Sequence, residues 1–329
     1  MPRRFANAHL WYYLVILALS SPFGCASRGP SKVSIRLKWL HQAQFAGFYY
    51  AKESGIYAAD KSVNVTLQPG GVDSPAIQLV ASGSDQFGVT GADQILIARE
   101  KGIPVVAVAC IYRKTPFVLF SLASSGIRRM DDLKGKKVGV KLGGNEELTY
   151  RAMMQKAGIP SSAVTEIPVK FDISPLLTNQ VQVWPGYAIN EPITAEEKGF
   201  PVNLIWPDQY GVRLYADVLF TTEEMIRTHP ETVSSIVRAT VKGWEQALAN
   251  KEQAVTYTLR YGNQLTREHE TKMLNASEAL IKPDANPIGS MDPAVWREMR
   301  QFLRDLKFIS TEVDLSQSFR TDFLAGGRP

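Results

Sequence analysis

The fold is indicated first by residues 33–55, VSIRLKWLHQAQFAGFYYAKESG. Residues 33–39 alternate apolar and polar side chains, and this period of two predicts a β-strand. Residues 45–54 then predict a helix, and Gly55 stands at a position where helices commonly end. The stretch therefore predicts one strand followed by one helix.

The succession of a strand and then a helix continues along the chain. Further strands are predicted at residues 63–67, 87–89, 105–111, 138–140 and 184–187. Further helices are predicted at residues 74–82, 92–101 and 146–157, and from residue 190 onward. After a strand at 218–220, long helices are predicted at 223–228, 231–249, 251–261 and 293–306. Alternating strands and helices favour parallel sheets with right-handed crossovers, so the predicted fold class is α/β with a helical C-terminal tail.

The length of 329 residues suits about two domains. We expect residues 31–118 plus 218–329 to form lobe 1 and residues 119–217 to form lobe 2, with residues 117–121 and 218–222 as candidate crossing strands. A cleft between two such lobes places a ligand at the carboxyl ends of the strands.

Residues 1–30 have the pattern of a secretory signal. Arg3 and Arg4 precede the uncharged run LWYYLVILAL at 10–19, which is shorter than the roughly 20 apolar residues that span a bilayer. Gly24-Cys25 resembles the end of a bacterial lipoprotein signal, in which the cysteine is acylated. Ordinary cleavage near Ala26 and a retained anchor are the alternatives. The pattern predicts an exported protein in the periplasm or on the outer face of the cytoplasmic membrane.

Composition argues against several function classes. The chain has 37 Lys and Arg against 32 Asp and Glu, and this scattered net charge of +5 does not favour nucleic acid as a partner. Two cysteines, Cys25 and Cys110, make neither a disulfide framework nor a four-ligand zinc site. The four histidines show no pair at metal spacing, and no motif supplies a nucleophile with an adjacent base. We expect no metal site and no catalytic residue.

Five motifs resemble the NMT1/THI5-like (SsuA/THI5-like) family over about residues 33–260. They are KWLHQAQFAGFYYAK at 38–52, SG at 82–83, FGV at 87–89, DLKGKKVG at 132–139 and NEP at 190–192. The resemblance implies the type II periplasmic binding-protein fold, with two lobes around a ligand cleft. It also implies the substrate-binding protein of an ABC importer for a vitamin precursor, of the formylaminopyrimidine, hydroxymethylpyrimidine or riboflavin kind. The permease and ATPase subunits of that importer are then the partners.

One branch of this family is an enzyme of thiamine biosynthesis, the thiamine pyrimidine synthase, which uses pyridoxal phosphate and iron. The resemblance places its Schiff-base lysine at Thr90, its donor histidine at Gln94 and its cysteine-rich loop near residues 210–213, YGVR. Threonine forms no imine and glutamine has no imidazole ring. We therefore expect no enzyme activity and no cofactor. An alkanesulfonate- or taurine-binding protein and a surface sensor remain alternatives on the same fold.

Candidate ligand-binding residues begin with the first strand and helix. Trp39 ends the strand, where its ring can stack on a flat heteroaromatic solute; the alternative is a core tryptophan. Gln44 and Phe45 open the helix, where free backbone N–H groups bind polar atoms. Tyr49 follows Phe45 by four residues and shares its helix face. The alternative for Phe45 and Tyr49 is the buried stripe of the helix.

The other candidates come from the second lobe. Gly143, Gly144 and Asn145 precede a helix, where their backbone N–H groups can hold an anionic group; the alternative is a tight turn. The resemblance also implies ligand contacts at this loop. Glu191 in the NEP motif can accept paired hydrogen bonds from an aminopyrimidine. The alternative is an acidic residue that only stabilises the N-terminus of its helix through the helix dipole. Tyr187, one strand step earlier, is a candidate second stacking ring.

Overall fold

The computed structural model describes Met1, residues 31–59 and residues 63–324. Apart from Met1, the predicted signal segment, including Cys25 and Ala26, lies outside the described residues. Among the helices that the structure describes, none is both long and apolar enough to cross a bilayer.

Within residues 31–59 and 63–324, ten strands form three sheets. The strands are β1 Ser31–Arg36, β2 Val63–Gln68, β3 Phe87–Thr90, β4 Val105–Cys110, β5 Phe117–Leu122, β6 Lys137–Val140, β7 Thr165–Pro168, β8 Trp184–Tyr187, β9 Val202–Ile205 and β10 Val218–Thr222. The large sheet has the order β2-β1-β3-β10-β4. A three-stranded sheet, β8-β5-β9, and a two-stranded sheet, β6-β7, lie on the other side of the cleft described below; we call these the small sheets.

Eleven α-helices connect and cover the sheets. They are α1 Ala46–Glu53, α2 Ala76–Ala81, α3 Ala92–Glu100, α4 Asn145–Lys156, α5 Ser174–Leu177, α6 Glu191–Glu197, α7 Glu223–Thr228, α8 Pro230–Ala249, α9 Lys251–Thr258, α10 Arg267–Ile281 and α11 Pro293–Asp305. Gly55 has a φ of +79°, the left-handed conformation expected of a glycine just after a helix. The sequence analysis did not predict β7, β9, α5 or α10.

The strand directions follow the prediction only in part. β1 pairs in parallel with β2 and β3, and β6 pairs in parallel with β7. β10 is antiparallel to β3 and β4, because it begins at Val218 beside Cys110, the last residue of β4, and runs back along that strand. The three-stranded sheet is antiparallel throughout.

Two chain connections run side by side between the large sheet and the small sheets. Residues 111–116 lead from β4 to β5, and residues 206–217 lead from β9 to β10. The Ile111 N–H donates to the Asp217 carbonyl oxygen at 2.8 Å, which joins the two connections. Residues 117–121, predicted as a crossing strand, lie wholly within β5, so the chain crosses before residue 117 and the predicted boundary after residue 118 falls inside a strand.

The main core surrounds the large sheet. Every residue of β4 is buried, because helices cover both faces of its sheet. Cys110, at the end of β4, is fully buried, and burial raises the pKa of its thiol. A smaller core packs under the three-stranded sheet around Phe120 and Trp184. The main core also includes Leu119, Val138 and Tyr150, so it extends from the large sheet to the small sheets.

Candidate functional site

A cavity of about 510 Å³ lies between the large sheet and the small sheets. Its walls are formed at the carboxyl ends of β1, β3, β6 and β8, where ligands bind in open α/β sheets. The large-sheet side contributes Lys38, Trp39, Gln44, Thr90 and Gln94. The small-sheet side contributes Lys141, Gly143, Gly144, Asn145, Phe171, Tyr187 and Glu191.

The structure brings most of the predicted ligand-binding residues to this one cavity. Those in its walls are Trp39, Gln44, Gly143, Gly144, Asn145, Tyr187 and Glu191. Phe45 and Tyr49 are fully buried in the core instead. The Tyr49 ring stacks on Tyr261, with 4.3 Å between ring centroids. Phe45 and Tyr49 therefore form the buried stripe of the helix that was given above as the alternative.

A buried polar network joins the two walls of the cavity. Lys38, just after β1, donates from Nζ to the Tyr187 hydroxyl at 2.6 Å and to the Ala216 carbonyl oxygen at 3.0 Å. The same ammonium lies 3.3 Å from Asp217 Oδ1. Gln44 Nε2 donates to Asp217 Oδ2 at 2.7 Å. Lys38 therefore connects the large sheet directly to the end of β8.

The charge state of this network follows from its neighbours. Burial by itself lowers the pKa of the Lys38 ammonium, but the oxygen atoms of Tyr187, Asp217 and Glu146 outweigh that effect and raise the pKa overall. Burial raises the pKa of the Tyr187 hydroxyl, although Lys38 opposes that shift. At neutral pH the cavity wall thus holds a charged ammonium against a neutral phenol.

The loop before α4 combines a turn with a polar side chain. Gly143 has a φ of +85°, which favours glycine, and its N–H donates to Glu147 Oε2 at 2.9 Å. Asn145 Nδ2 donates to the Tyr187 hydroxyl at 3.1 Å. The Gly143 N–H already has a partner within the loop, so the Asn145 amide is the better placed group for a solute in the cavity.

Glu191 is held in the wall by two donors. Lys141 Nζ donates to its Oε1 at 2.6 Å, and the Tyr187 N–H donates to its Oε2 at 2.8 Å. Both side chains are nearly buried, with 8% of Lys141 and 12% of Glu191 exposed. Each carboxylate oxygen keeps a second lone pair for a solute N–H. Lys141 was not predicted as a site residue. Its position directly after β6 is the feature that could have identified it.

Two aromatic rings meet across the mouth of the cavity. The centroids of Trp39 and Phe171 are 4.5 Å apart, with the ring planes tilted by 52°. Phe171 is 46% exposed, and Lys141 Nζ lies 5.1 Å from its ring centroid. Phe171 was also missed, because it lies in the irregular stretch between β7 and α5. An exposed aromatic side chain in such a loop is the signal that was available.

Two of the three positions that the synthase chemistry requires lie in the same cavity, whereas residues 210–213 do not line it. Thr90 and Gln94 are part of its wall, at the end of β3 and in the first turns of α3. Neither side chain carries the amine or the imidazole of that chemistry. No cluster of three or more metal-binding side chains occurs within residues 31–59 and 63–324.

Comparisons with known proteins agree on a family. The model of the family described as NMT1/THI5 like matches residues 42–254. The chain is 26% identical over 308 residues to a riboflavin-binding protein, RibY, of Chloroflexus aurantiacus, covering 90% of this chain and 87% of the relative. It is 26% identical over 279 residues to a formylaminopyrimidine-binding protein of Halalkalibacterium halodurans, with coverages of 82% and 84%.

A 4-amino-5-hydroxymethyl-2-methylpyrimidine phosphate synthase of Legionella pneumophila is 23% identical over 303 residues, covering 89% of this chain and 92% of the synthase. Among solved structures, the periplasmic aliphatic sulphonate binding protein SsuA of Escherichia coli superposes with a TM-score of 0.71 at 15% identity, covering 91% of this chain and 95% of SsuA. This likeness shows the periplasmic binding-protein fold. Because the family model covers more than half of the sequence, the chain belongs to the NMT1/THI5 like family.

Proposed function

We propose that this protein is the extracytoplasmic solute-binding component of an ABC importer and that it binds a small planar heteroaromatic solute. The observation that carries the proposal is the cavity between the large sheet and the small sheets, with aromatic and hydrogen-bonding side chains in its walls. Its volume of about 510 Å³ falls within the range of about 300–1,000 Å³ that is usual for small-molecule sites.

The chemistry of the walls supports this class of solute. Trp39 and Phe171 offer ring faces for stacking, which contributes about 0.5–1.5 kcal/mol beyond the burial of area. Gln44, Asn145 and Glu191 offer amide and carboxylate groups at the inner end. A pyrimidine or a flavin ring has the same combination of flat faces and polar edges. The relatives named for riboflavin and formylaminopyrimidine point to the same class.

Transport requires closure around the solute and delivery to a membrane complex. We infer that lobe 1 and lobe 2 move about the paired connections at residues 111–116 and 206–217. A permease and an ATPase are the proposed partners. The signal pattern of residues 1–30 supports export, with Cys25 as the proposed site of a lipid anchor.

The synthase is the rival function, since two relatives carry that name. Thr90 and Gln94 stand in the cavity wall where the resemblance requires lysine and histidine. The absence of an amine at residue 90 and of an imidazole at residue 94 favours solute binding over synthase chemistry. The absorbance of the purified protein with pyridoxal phosphate tests this point, because an imine changes the absorption spectrum of the cofactor and simple binding does not.

A thermal-shift panel tests the proposed function. The protein, stripped of solute by unfolding and refolding, is mixed with riboflavin, formylaminopyrimidine, hydroxymethylpyrimidine, thiamine, pyridoxal phosphate, taurine or an alkanesulfonate. A solute at 100 times its dissociation constant stabilises the folded state by about 2.7 kcal/mol. We expect a shift with one pyrimidine or with riboflavin. A shift with sulfonates alone contradicts the heteroaromatic class, and no shift in a folded sample contradicts the assignment.

A further inference from the structure

Helix α10 is anchored on the large-sheet side of the cavity. Its Glu270 carboxylate accepts a hydrogen bond from the Ala43 N–H at 2.5 Å, in the turn that carries Gln44. Two helical turns later, Ser277 Oγ accepts from the Tyr112 hydroxyl at 2.9 Å. Both contacts are buried. We therefore treat α10 as part of the large-sheet body.

The same helix contacts α6 on the small-sheet side. His269 Nδ1 lies 2.9 Å from Glu197 Oε2, and Lys272 Nζ donates to Glu197 Oε1 at 3.1 Å. His269 Nε2 lies 3.2 Å from Asn190 Oδ1. The Glu197 contact needs the proton on Nδ1, and the neutral Nε2 is then an acceptor, so a hydrogen bond to Asn190 requires the amide N–H₂ of Asn190 or a proton on both ring nitrogens. Glu197 thus receives donors from two side chains of the opposite body.

These contacts end close to the solute cavity. Asn190 is the N-cap residue of α6 and lines the cavity, and Glu191 follows it directly. His269 and Lys272 do not line the cavity. They therefore influence a bound solute only through the position of α6.

We propose that His269 and Lys272 form a latch on Glu197 and Asn190 that holds α6 in the closed arrangement and slows release of the solute. The inference rests on the proposed function, because it needs a solute that both sides enclose. His269 and Lys272 are positioning residues in this scheme. The remaining charged groups beside them are Glu268, which accepts from Lys272 at 2.7 Å, and the buried Glu270.

The latch is expected to have a moderate effect. The side chains are partly exposed, 18% for His269, 25% for Glu197 and 43% for Lys272. Exposed ion pairs contribute little each. Loss of one contact should therefore speed dissociation about 3- to 10-fold, while association changes less than about 2-fold. A wall residue that contacts the solute would weaken binding more strongly.

Stopped-flow binding tests the proposal with riboflavin and formylaminopyrimidine as probes. His269→Ala and Lys272→Ala should raise the dissociation rate, and Lys272→Arg should restore it. Lys282→Ala, an exposed lysine directly after α10, is the matched control and should behave as the original protein. In a double-mutant cycle, His269→Ala and Glu197→Gln should be non-additive. Equal dissociation rates for His269→Ala and the original protein overturn the latch.

A second readout needs no solute. Hydrogen exchange in the first turn of α6 should be faster in ligand-free His269→Ala, while the free energy of unfolding in urea stays unchanged. If no solute of the thermal-shift panel binds the original protein, the proposed function fails and the exchange result still decides the contact. In that case, an unchanged hydrogen-exchange rate in α6 overturns the latch. A faster rate supports the contact between α10 and α6 as a link between the two sides of the cavity.

Discussion

Lys38 links the two sides of the cavity through the Tyr187 hydroxyl. An ammonium has three N–H donors, and those of Lys38 face Tyr187, Ala216 and Asp217. A solute oxygen that binds Lys38 must therefore replace one of these acceptors. Asn145 and Glu191 each keep free hydrogen-bonding capacity, so we expect them, rather than Lys38, to provide the polar contacts to a solute.

The role of Glu191 gives a prediction at this scale. Glu191→Gln replaces one acceptor oxygen by an N–H₂ donor, so an aminopyrimidine loses a hydrogen bond to a charged group, worth about 1.5–3 kcal/mol. Binding of formylaminopyrimidine should weaken about 10- to 100-fold in isothermal calorimetry. Glu196→Gln, an exposed neighbour in α6, is the control. Unchanged pyrimidine binding by Glu191→Gln would show that the carboxylate plays no part in recognition.

Glu270 gives a prediction about pH. Burial raises the pKa of its carboxyl, an effect only partly offset by the Ala43 N–H. The folded state therefore binds this proton more tightly than the unfolded state, and the ionised form costs stability above the raised pKa. Glu270→Gln keeps an acceptor for Ala43 without the charge.

We expect Glu270→Gln to be more stable than the original protein at pH 8, with the difference shrinking as the pH falls through the raised pKa and disappearing below the ordinary pKa of a glutamate carboxyl, where Glu270 is protonated in both states. Urea unfolding at several pH values measures this difference. Glu245→Gln, an exposed position in α8, should show no such trend. A constant difference across the pH range would mean that the Glu270 charge is not the cause.

At the scale of elements, the packing of α1 on α8 depends on two glycines. A Cβ atom on Gly243 would lie 2.6 Å from Ala51 Cβ and would also overlap the Gly47 carbonyl oxygen. A Cβ on Gly47 would overlap the ring of Trp244. The two helices therefore approach closely at this crossing. This packing buries the face of α1 that carries Gly47 and Ala51, whereas Tyr49 lies on the other side of the helix, against Tyr261.

Gly243→Ala should consequently destabilise the protein. Alanine favours a helix over glycine by about 0.5–1 kcal/mol, but overpacking a core costs about 1–3 kcal/mol. We expect a net loss of about 1–2 kcal/mol in the free energy of unfolding, measured in urea. Glu245→Ala, two residues away on the exposed face, should change stability by less than about 0.5 kcal/mol. A stabilised Gly243→Ala would mean that the helices separate easily here.

Predictability also differs among elements. Long or strongly patterned elements such as α8 and β4 were predicted from the sequence to within two residues. Helix α10 was missed although Thr266 caps it by accepting a hydrogen bond from the His269 N–H, a signal that the residue type could have provided. β7 and β9 are four-residue strands at sheet edges, and such short, half-exposed runs have no clear period.

At the scale of the whole molecule, a solute between the two sides should protect both of them. Hydrogen exchange with saturating riboflavin or formylaminopyrimidine should slow in residues 38–45 and in residues 187–195, because the solute contacts both walls and favours the closed state. Pro293–Asp305, in α11 and away from the cavity walls, serves as the internal control. Protection confined to one side would contradict binding between the lobes.

The sequence by itself determined the alternation of strands and helices, the family resemblance and several residues of the cavity wall. Trp39, Asn145, Tyr187 and Glu191 follow or end predicted strands, and strand ends meet at one edge of a sheet whatever the details of packing. Periodicity and capping act over a few residues, so they can be recognised in the chain alone.

Only the tertiary structure decided which faces and which distant segments meet. Tyr49 points into the core because Tyr261 covers its side of α1, and Phe171 reaches Trp39 from an irregular loop. The α10–α6 contact through His269 joins residues more than 70 positions apart. Such contacts depend on the packing of whole elements, and packing between distant segments has no local pattern in the sequence.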